Sequence, residues 1–204
     1  MQNAKDLLNY KKELAQAIKD GDDTIFFNDS ILHAMLIVKE LLNKASKEDG
    51  RLLQMYCGNF SLFRDKTERK VLDEKYKWST TDLSKEESEN WASLDFYADL
   101  QQALTDFLLA EGKLKLILQY QTNTLPENRV WRVLENGIRR NNVSIYQLKI
   151  NVGLDHFAVT REAYRVENSN EIKTATCCFK DSPNANILNE NFNELIKFSE
   201  PFIV

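Results

Sequence analysis

Three apolar runs, RLLQMYCGNFSLF (51–63), KLKLILQY (113–120) and VSIYQLKI (143–150), each follow a stretch with helical periodicity. That alternation constrains the fold more than any other feature of the sequence. A strand joined to the next through a helix must return across the sheet, so successive strands run parallel and helices cover the sheet faces. The first helix is expected over residues 3–19, with Leu7, Leu8, Leu14, Ala15 and Ile18 near helical spacing and Gly21 at its stop. NDSILHAMLIVKELLNKAS predicts a second, capped by Asn28, Asp29 or Ser30, with Ile31, Met35, Val38, Leu42 and Ala45 on one stripe. WASLDFYADLQQALTDFLLAEG reads as one long helix: Leu94, Ala98, Leu104 and Leu108 share its core side with Leu100, Ala103 and Phe107, and Gly112 stands at its stop. PENRVWRVLENGIRRNN (126–142) opens a further helix on proline.

The last part of the chain changes character. HFAVTREAYRVE reads as a hairpin about a Thr160-Arg161-Glu162 turn, KTATCCF (173–179) as another strand, and SPNANILNENFNELIKFSEPF as a closing helix with Ile187 or Leu188, Phe192, Leu195 and Ser199 on one side. The hairpin adds antiparallel strands to the parallel ones. The expected fold is therefore a single α/β domain over residues 1–204, with a central mixed β-sheet flanked by helices. Residues 64–90, where RDKTERK and SKEESE meet, are expected as a surface excursion; with Trp78 and Trp91 they form the expected partner surface.

Charge narrows the function. The net charge is −4, from 27 basic and 31 acidic side chains, which argues against a protein whose whole surface grips phosphate. No run approaches the roughly 18 apolar residues that span a bilayer, and the start of the chain has no apolar core of signal-peptide length. Cys57, Cys177 and Cys178 are odd in number and lack the spacing of a disulfide framework. The expectation is a cytoplasmic protein with free thiols and no membrane partner.

The residues that carry chemistry are few. His156 is one of two histidines; the other, His33, falls inside a predicted helix. Glu111-Gly112-Lys113, with Asp106 or Asp99 upstream, has the composition of a metal-dependent nuclease site, but Gly112 and its neighbours also serve as a plain helix stop. Asp95 and Asp99 lie four residues apart, as solvated acidic pairs commonly do. No zinc-type His/Cys spacing and no glycine-rich phosphate loop is present, so neither a metal nor a cofactor is expected. Arg129, Arg132, Arg139 and Arg140, with Lys113, Lys115 and Lys149 on neighbouring strands and Trp131 and Tyr146 nearby, form a candidate phosphate or nucleic-acid patch. The competing reading is an ordinary solvated helix face.

The order of elements, with RLLQMYCGNFSLF, LKLILQ and INVGLDHFAVTREAYRVE in sequence and FNELIKFSEPF closing the chain, is similar to a phospholipase D-like half-domain. In that superfamily one strand carries His-x-Lys with an Asp five residues beyond the Lys; the His is the covalent nucleophile and the Lys binds phosphate. With His156 aligned to that His, Ala158 stands in place of the Lys and Ala163 in place of the Asp, and Asn170 and Thr174 replace a later glycine and asparagine. Phosphoryl transfer through histidine needs a cation at the phosphate, which alanine does not offer. The resemblance thus implies a degenerate site and a non-catalytic binding or accessory protein. Such members are similar to partners of nucleic-acid-processing or genome-defence systems. The alternatives are a phosphodiesterase or nuclease working from a cryptic site, and a pure protein-interaction module. Because the half-domains of this superfamily pair, the resemblance also implies a homodimer or another protein partner.

Overall fold

In the computed structural model of the chain, residues 3–63, 78–121, 125, 128–168 and 174–202 are described. Eight strands form one sheet: β1 (Phe26–Asn28), β2 (Leu52–Cys57), β3 (Lys113–Leu118), β4 (Val143–Leu148), β5 (Phe157–Val159), β6 (Tyr164–Glu167), β7 (Ala175–Cys178) and β8 (Ser199–Pro201). Their spatial order is β1-β7-β6-β5-β2-β3-β4-β8. The three strands read from the apolar runs are the parallel centre, β2 to β3 to β4, in register Leu53↔Leu114 and Leu114↔Val143. All other pairings are antiparallel. The fold is a mixed α/β domain with helices on both faces of its central sheet.

The described helices are α1 (Ala4–Asp20), α2 (Ile31–Ala45), α3 (Lys85–Ser93), α4 (Phe96–Leu109), α5 (Arg129–Arg139) and α6 (Ser182–Lys197). Each starts on a side chain that accepts from an otherwise orphaned backbone N–H: Asn3, Ser30, Ser84, Asp95, Asn128 and Asp181. One sheet face carries α2, α4 and α5 over Leu53, Met55, Leu114, Leu116, Leu118 and Ile145. On the other, α6 lays Ala185, Phe192 and Leu195 against Tyr56, Ile117, Leu148, Phe157 and Val159. Helix α2 is the most enclosed element, with Leu32, Met35, Leu36, Ile37, Val38, Leu41 and Leu42 all buried.

Several expectations are corrected. The sequence 91–112 is not one helix: it breaks at Leu94, whose backbone is extended, and Asp95 caps α4 by accepting from the N–H groups of Tyr97 and Ala98 at 3.2 and 2.9 Å. Two short edge strands, β1 and β8, were not foreseen, because three residues carry too little periodicity to read. The first apolar run leaves strand conformation after Cys57 and passes into a 3₁₀ turn at Ser61–Phe63. In α1 it is Ala17, not Ala15, that is buried. Residues 64–77 of the expected excursion lie outside the described residues. Of its two tryptophans, Trp91 is buried and the half-buried Trp78 packs edge-on against it at 5.1 Å, in a segment that α1 holds through Ala4 N–H donating to Ser79 O. Apolar area of that size is stabilised by enclosure.

Candidate functional site

The carboxyl edge of the parallel strands is built around His156. Strand β5 runs antiparallel to β2 with Tyr56 opposite Phe157, so His156 stands just past the end of β2, beside Cys57 and Gly58. Its carbonyl accepts from Glu167 N–H at 2.8 Å, extending the β5–β6 ladder by one rung and fixing the backbone. The ring is enclosed by the edge of Tyr56 at 5.3 Å and by Tyr120 at 6.3 Å. Gly58 makes this possible: a Cβ there would lie 2.9 Å from the Tyr120 ring and 3.1 Å from His156 Cε1.

Both ring nitrogens are engaged. Nδ1 lies 2.9 Å from Glu167 Oε2 and Nε2 lies 2.7 Å from Gln119 Oε1. Gln119 directs its own nitrogen towards Asn151 Oδ1 and Val152 O at 3.4 and 3.5 Å, the orientation that turns its oxygen to the imidazole. Glu167 continues the row to Arg165, whose Nη1 lies 3.3 Å from Oε1, and Arg165 Nη2 donates to Asn28 Oδ1 at 3.3 Å. Burial raises the Glu167 carboxyl, but the hydrogen bond from His156 and the charge of Arg165 outweigh it and hold the group below its ordinary value. Burial, with the neighbouring Glu167 carboxylate, pushes the Cys57 thiol up to about 12, so it offers no thiolate. Arg165 Nε, Asn28 Nδ2 and the Tyr56 hydroxyl have no hydrogen-bond partner among the described residues, and all three atoms are sealed from solvent.

Two of the positions that the resemblance assigns to a phosphate site are apolar and buried. Ala158 shares the sheet face of His156 and is 2% exposed; Ala163, beyond the turn, is fully buried. Thr174 accepts from Asn168 N–H through its backbone, and Asn170 lies outside the described residues. His33 belongs to the far end of the sheet, stacked on Tyr10 at 4.1 Å and paired with Asp29 at 3.2 Å, with β6 and β7 between that end and β5. Burial lowers its pKa against the opposing effect of Asp29.

The candidate basic patch is divided by the topology. Arg129, Arg132, Arg139 and Arg140 are all exposed, along one stripe of α5 opposite Val130, Trp131, Leu134 and Gly137. The helix separates the first two from the last two by roughly 10 to 17 Å at about 1.5 Å per residue. Arg139 pairs with Glu135 at 3.3 Å and Lys149 with Glu200 at 2.6 Å. Arg129, Arg132 and Arg140 make no ion pair with a described residue. The aromatic residues do not join them: Trp131 is buried edge-on to Phe60, and Tyr146 packs on the opposite sheet face.

The acidic residues are dispersed likewise. Asp95 and Asp99 sit at the start of α4, Asp106 near its end accepts from Gln102, and Glu111 occupies a left-handed turn. Gly112 is required there, since a Cβ would lie 2.5 Å from the Phe107 ring. Among the described residues no group of three or more His, Cys, Asp or Glu side chains is placed to hold a metal ion. The described cysteines are unpaired, and no described helix is long and apolar enough to cross a membrane.

Comparison with protein-family models gives no match, and comparison of the sequence with curated proteins gives none either. Solved structures with a similar course of the chain include TrmBL2, an archaeal chromatin protein whose structure shows a novel mode of DNA binding, at 14% identity and a TM-score of 0.49 over 95% of this chain. This chain spans 62% of TrmBL2. They also include Nuc, a phospholipase D family member from Salmonella typhimurium, at 9% identity and a TM-score of 0.48, covering 89% of this chain and 97% of Nuc. NucT from Helicobacter pylori gives 9% identity and a TM-score of 0.48, covering 88% and 98% of the two chains.

Proposed function

We propose that the chain is a non-catalytic binding protein of the phospholipase D-like type, an accessory component in nucleic-acid processing. The observation that carries this reading is the state of His156. A nucleophilic imidazole needs a free lone pair facing an open, cationic phosphate site. Here Glu167 and Gln119 meet the two nitrogens, and Ala158 fills the neighbouring position with a methyl group inside the core. A lysine at Ala158 would have to bury its ammonium among Met55, Leu53 and their neighbours, which is costly without a partner. The histidine therefore ties β3, β5 and β6 together at their ends.

Support for a polyanionic partner comes from Arg129, Arg132 and Arg140, exposed on α5 and without an ion pair to any described residue. Support for self-association or another protein partner comes from the β1 edge, where Ile25 and Phe27 are 53% and 71% exposed.

The test has a catalytic arm and a binding arm. Bis-p-nitrophenyl phosphate and single- and double-stranded DNA, with and without magnesium or manganese, are expected to survive incubation with the protein. Turnover abolished by His156→Ala would overturn the reading. In fluorescence anisotropy, DNA is expected to bind with a salt dependence that flattens by about 0.9 per arginine on replacing Arg129 and Arg132 with Gln. Light scattering is expected to give the mass of two chains, reduced to one by Phe27→Asp; a single-chain mass for the unmodified protein removes the dimer.

A further inference from the structure

We propose that a groove at the opposite, amino edge of the parallel strands binds a small polar monoanion, a carboxylate that also bears hydroxyl or amide groups. The inference is independent of the histidine edge. The groove has a cavity of about 320 Å³ between the start of β2, the β5–β6 turn and α6, within the range of small-molecule sites. Its floor is Gln54, only 2% exposed, with a side-chain amide that has no hydrogen-bond partner among the described residues. Unlike Arg165 Nε and Asn28 Nδ2, which are sealed in protein, the Gln54 amide borders the cavity. Because the amide touches the groove rather than being sealed, a ligand there would meet a donor and an acceptor that the chain leaves open.

Lys115 stands beside it. It is the register partner of Gln54 on β3, half-buried in the same lining, and forms no ion pair with a described residue. The carboxylates at the rim have other partners. Glu48 accepts from Thr160 Oγ1 and from Arg161 N–H, both at 2.9 Å, with Lys44 at 3.8 Å, and Asp49 pairs with Arg161 at 3.1 Å. The far wall is a stripe of α6, Asn186, Asn189 and Asn193, spaced to share one helix face. Asn189 donates to Thr160 O at 2.8 Å, which fixes its amide, while Asn186 and Asn193 make no side-chain hydrogen bond to a described residue. Asparagine is a poor helix former, and three on one stripe gain nothing from packing.

This lining selects the ligand by chemistry. Side-chain amides both donate and accept, so Gln54 and the asparagines complement hydroxyl or amide groups. One unpaired ammonium balances a single negative charge, which suits a carboxylate better than a phosphate dianion. The described lining contains no aromatic ring on which a base could stack.

The probes are gluconate, N-acetylglutamine, glucose and inorganic phosphate, read by saturation-transfer NMR and by thermal unfolding of the full chain. Gluconate or N-acetylglutamine is expected to receive saturation and raise Tm, with glucose and phosphate binding more weakly. Lys115→Met is expected to weaken the preferred probe by about tenfold or more, the effect of losing one charge-assisted contact. Gln54→Met is expected to abolish binding, because it removes the donor and acceptor at the floor while keeping the length of the side chain. Asn193→Ala, at an exposed helix position, tests the wall without endangering the fold and is expected to weaken binding. Failure of both gluconate and N-acetylglutamine to bind overturns the proposal. So does phosphate binding as tightly as the better of them, or binding unchanged in Lys115→Met and Asn193→Ala.

Discussion

At the amino end of β5, His156 has a carboxylate on one ring nitrogen and an amide on the other, whereas at its carboxyl end, next to Thr160, the sheet borders a cavity into which Gln54 and Lys115 open unpartnered. The two places lie on opposite edges of the same parallel strands. One has the residue types of a reactive site, a histidine, a carboxylate, an arginine and a thiol, yet they are spent on one another or sealed. The other has Gln54 and Lys115 facing open space, while the carboxylates at its rim, Glu48 and Asp49, are held by Thr160 and Arg161. What distinguishes a binding site here is accessibility of unsatisfied groups, not the reactivity of the residues present.

Substitutions separate the two edges by size of effect. Leu116→Ala, in the centre of the sheet beneath both, sets the scale: its fully buried side chain predicts a loss of about 2–5 kcal/mol in denaturant unfolding. An unchanged midpoint would show that the core does not rest on β3. Glu167→Gln, at the histidine edge, removes charge-assisted bonds to His156 and Arg165 and is expected to cost about 1.5–3 kcal/mol at neutral pH. A cost within error of zero would mean that the row from His156 to Arg165 contributes only geometry.

The smallest effects are in the pH dependence, and their signs follow from the shifts. The Glu167 carboxyl is held below its ordinary 4.5, so its contribution is complete above that value and is lost as pH falls through the lower folded value. His33 is also lowered, from 6.5, mainly by burial, so folding favours its neutral form and the protein loses stability as pH falls from 6.5 towards the folded value. Glu167→Gln is therefore expected to flatten the stability curve below pH 4.5, and His33→Phe, which keeps the ring against Tyr10, to flatten it below pH 6.5. Urea midpoints at stepped pH check both; a curve unchanged in either variant refutes that assignment.

The sequence made the parallel centre legible because long periodic segments there met strong stop signals, such as Gly112 after Phe107. It concealed the break at Leu94, since an aspartate inside an apolar helical pattern reads as an exposed position until its side chain is seen capping Tyr97 and Ala98. It also concealed the partners of His156. Gln119 lies 37 residues away and reaches the ring only because β3 and β5 flank β2. The arginine stripe was legible as a stripe, but its division along α5 required the helix to be placed. The amino-edge groove had one signal that went unread: the asparagine spacing of NANILNENFN, which registers as helix and hides a polar face.

The central claim is that His156 Nε2 is not available as a nucleophile, and diethyl pyrocarbonate, which acylates a ring nitrogen with a free lone pair, tests it most directly. With two histidines in the chain, peptide mass spectrometry assigns each product. His156 is expected to stay unmodified in the folded protein, to become modified in urea, and to become reactive in the folded Gln119→Ala variant, where Nε2 is uncovered. Acylation of His156 in the folded, unsubstituted protein at the rate of a free imidazole would contradict it, and would return the carboxyl edge to the status of a working catalytic site.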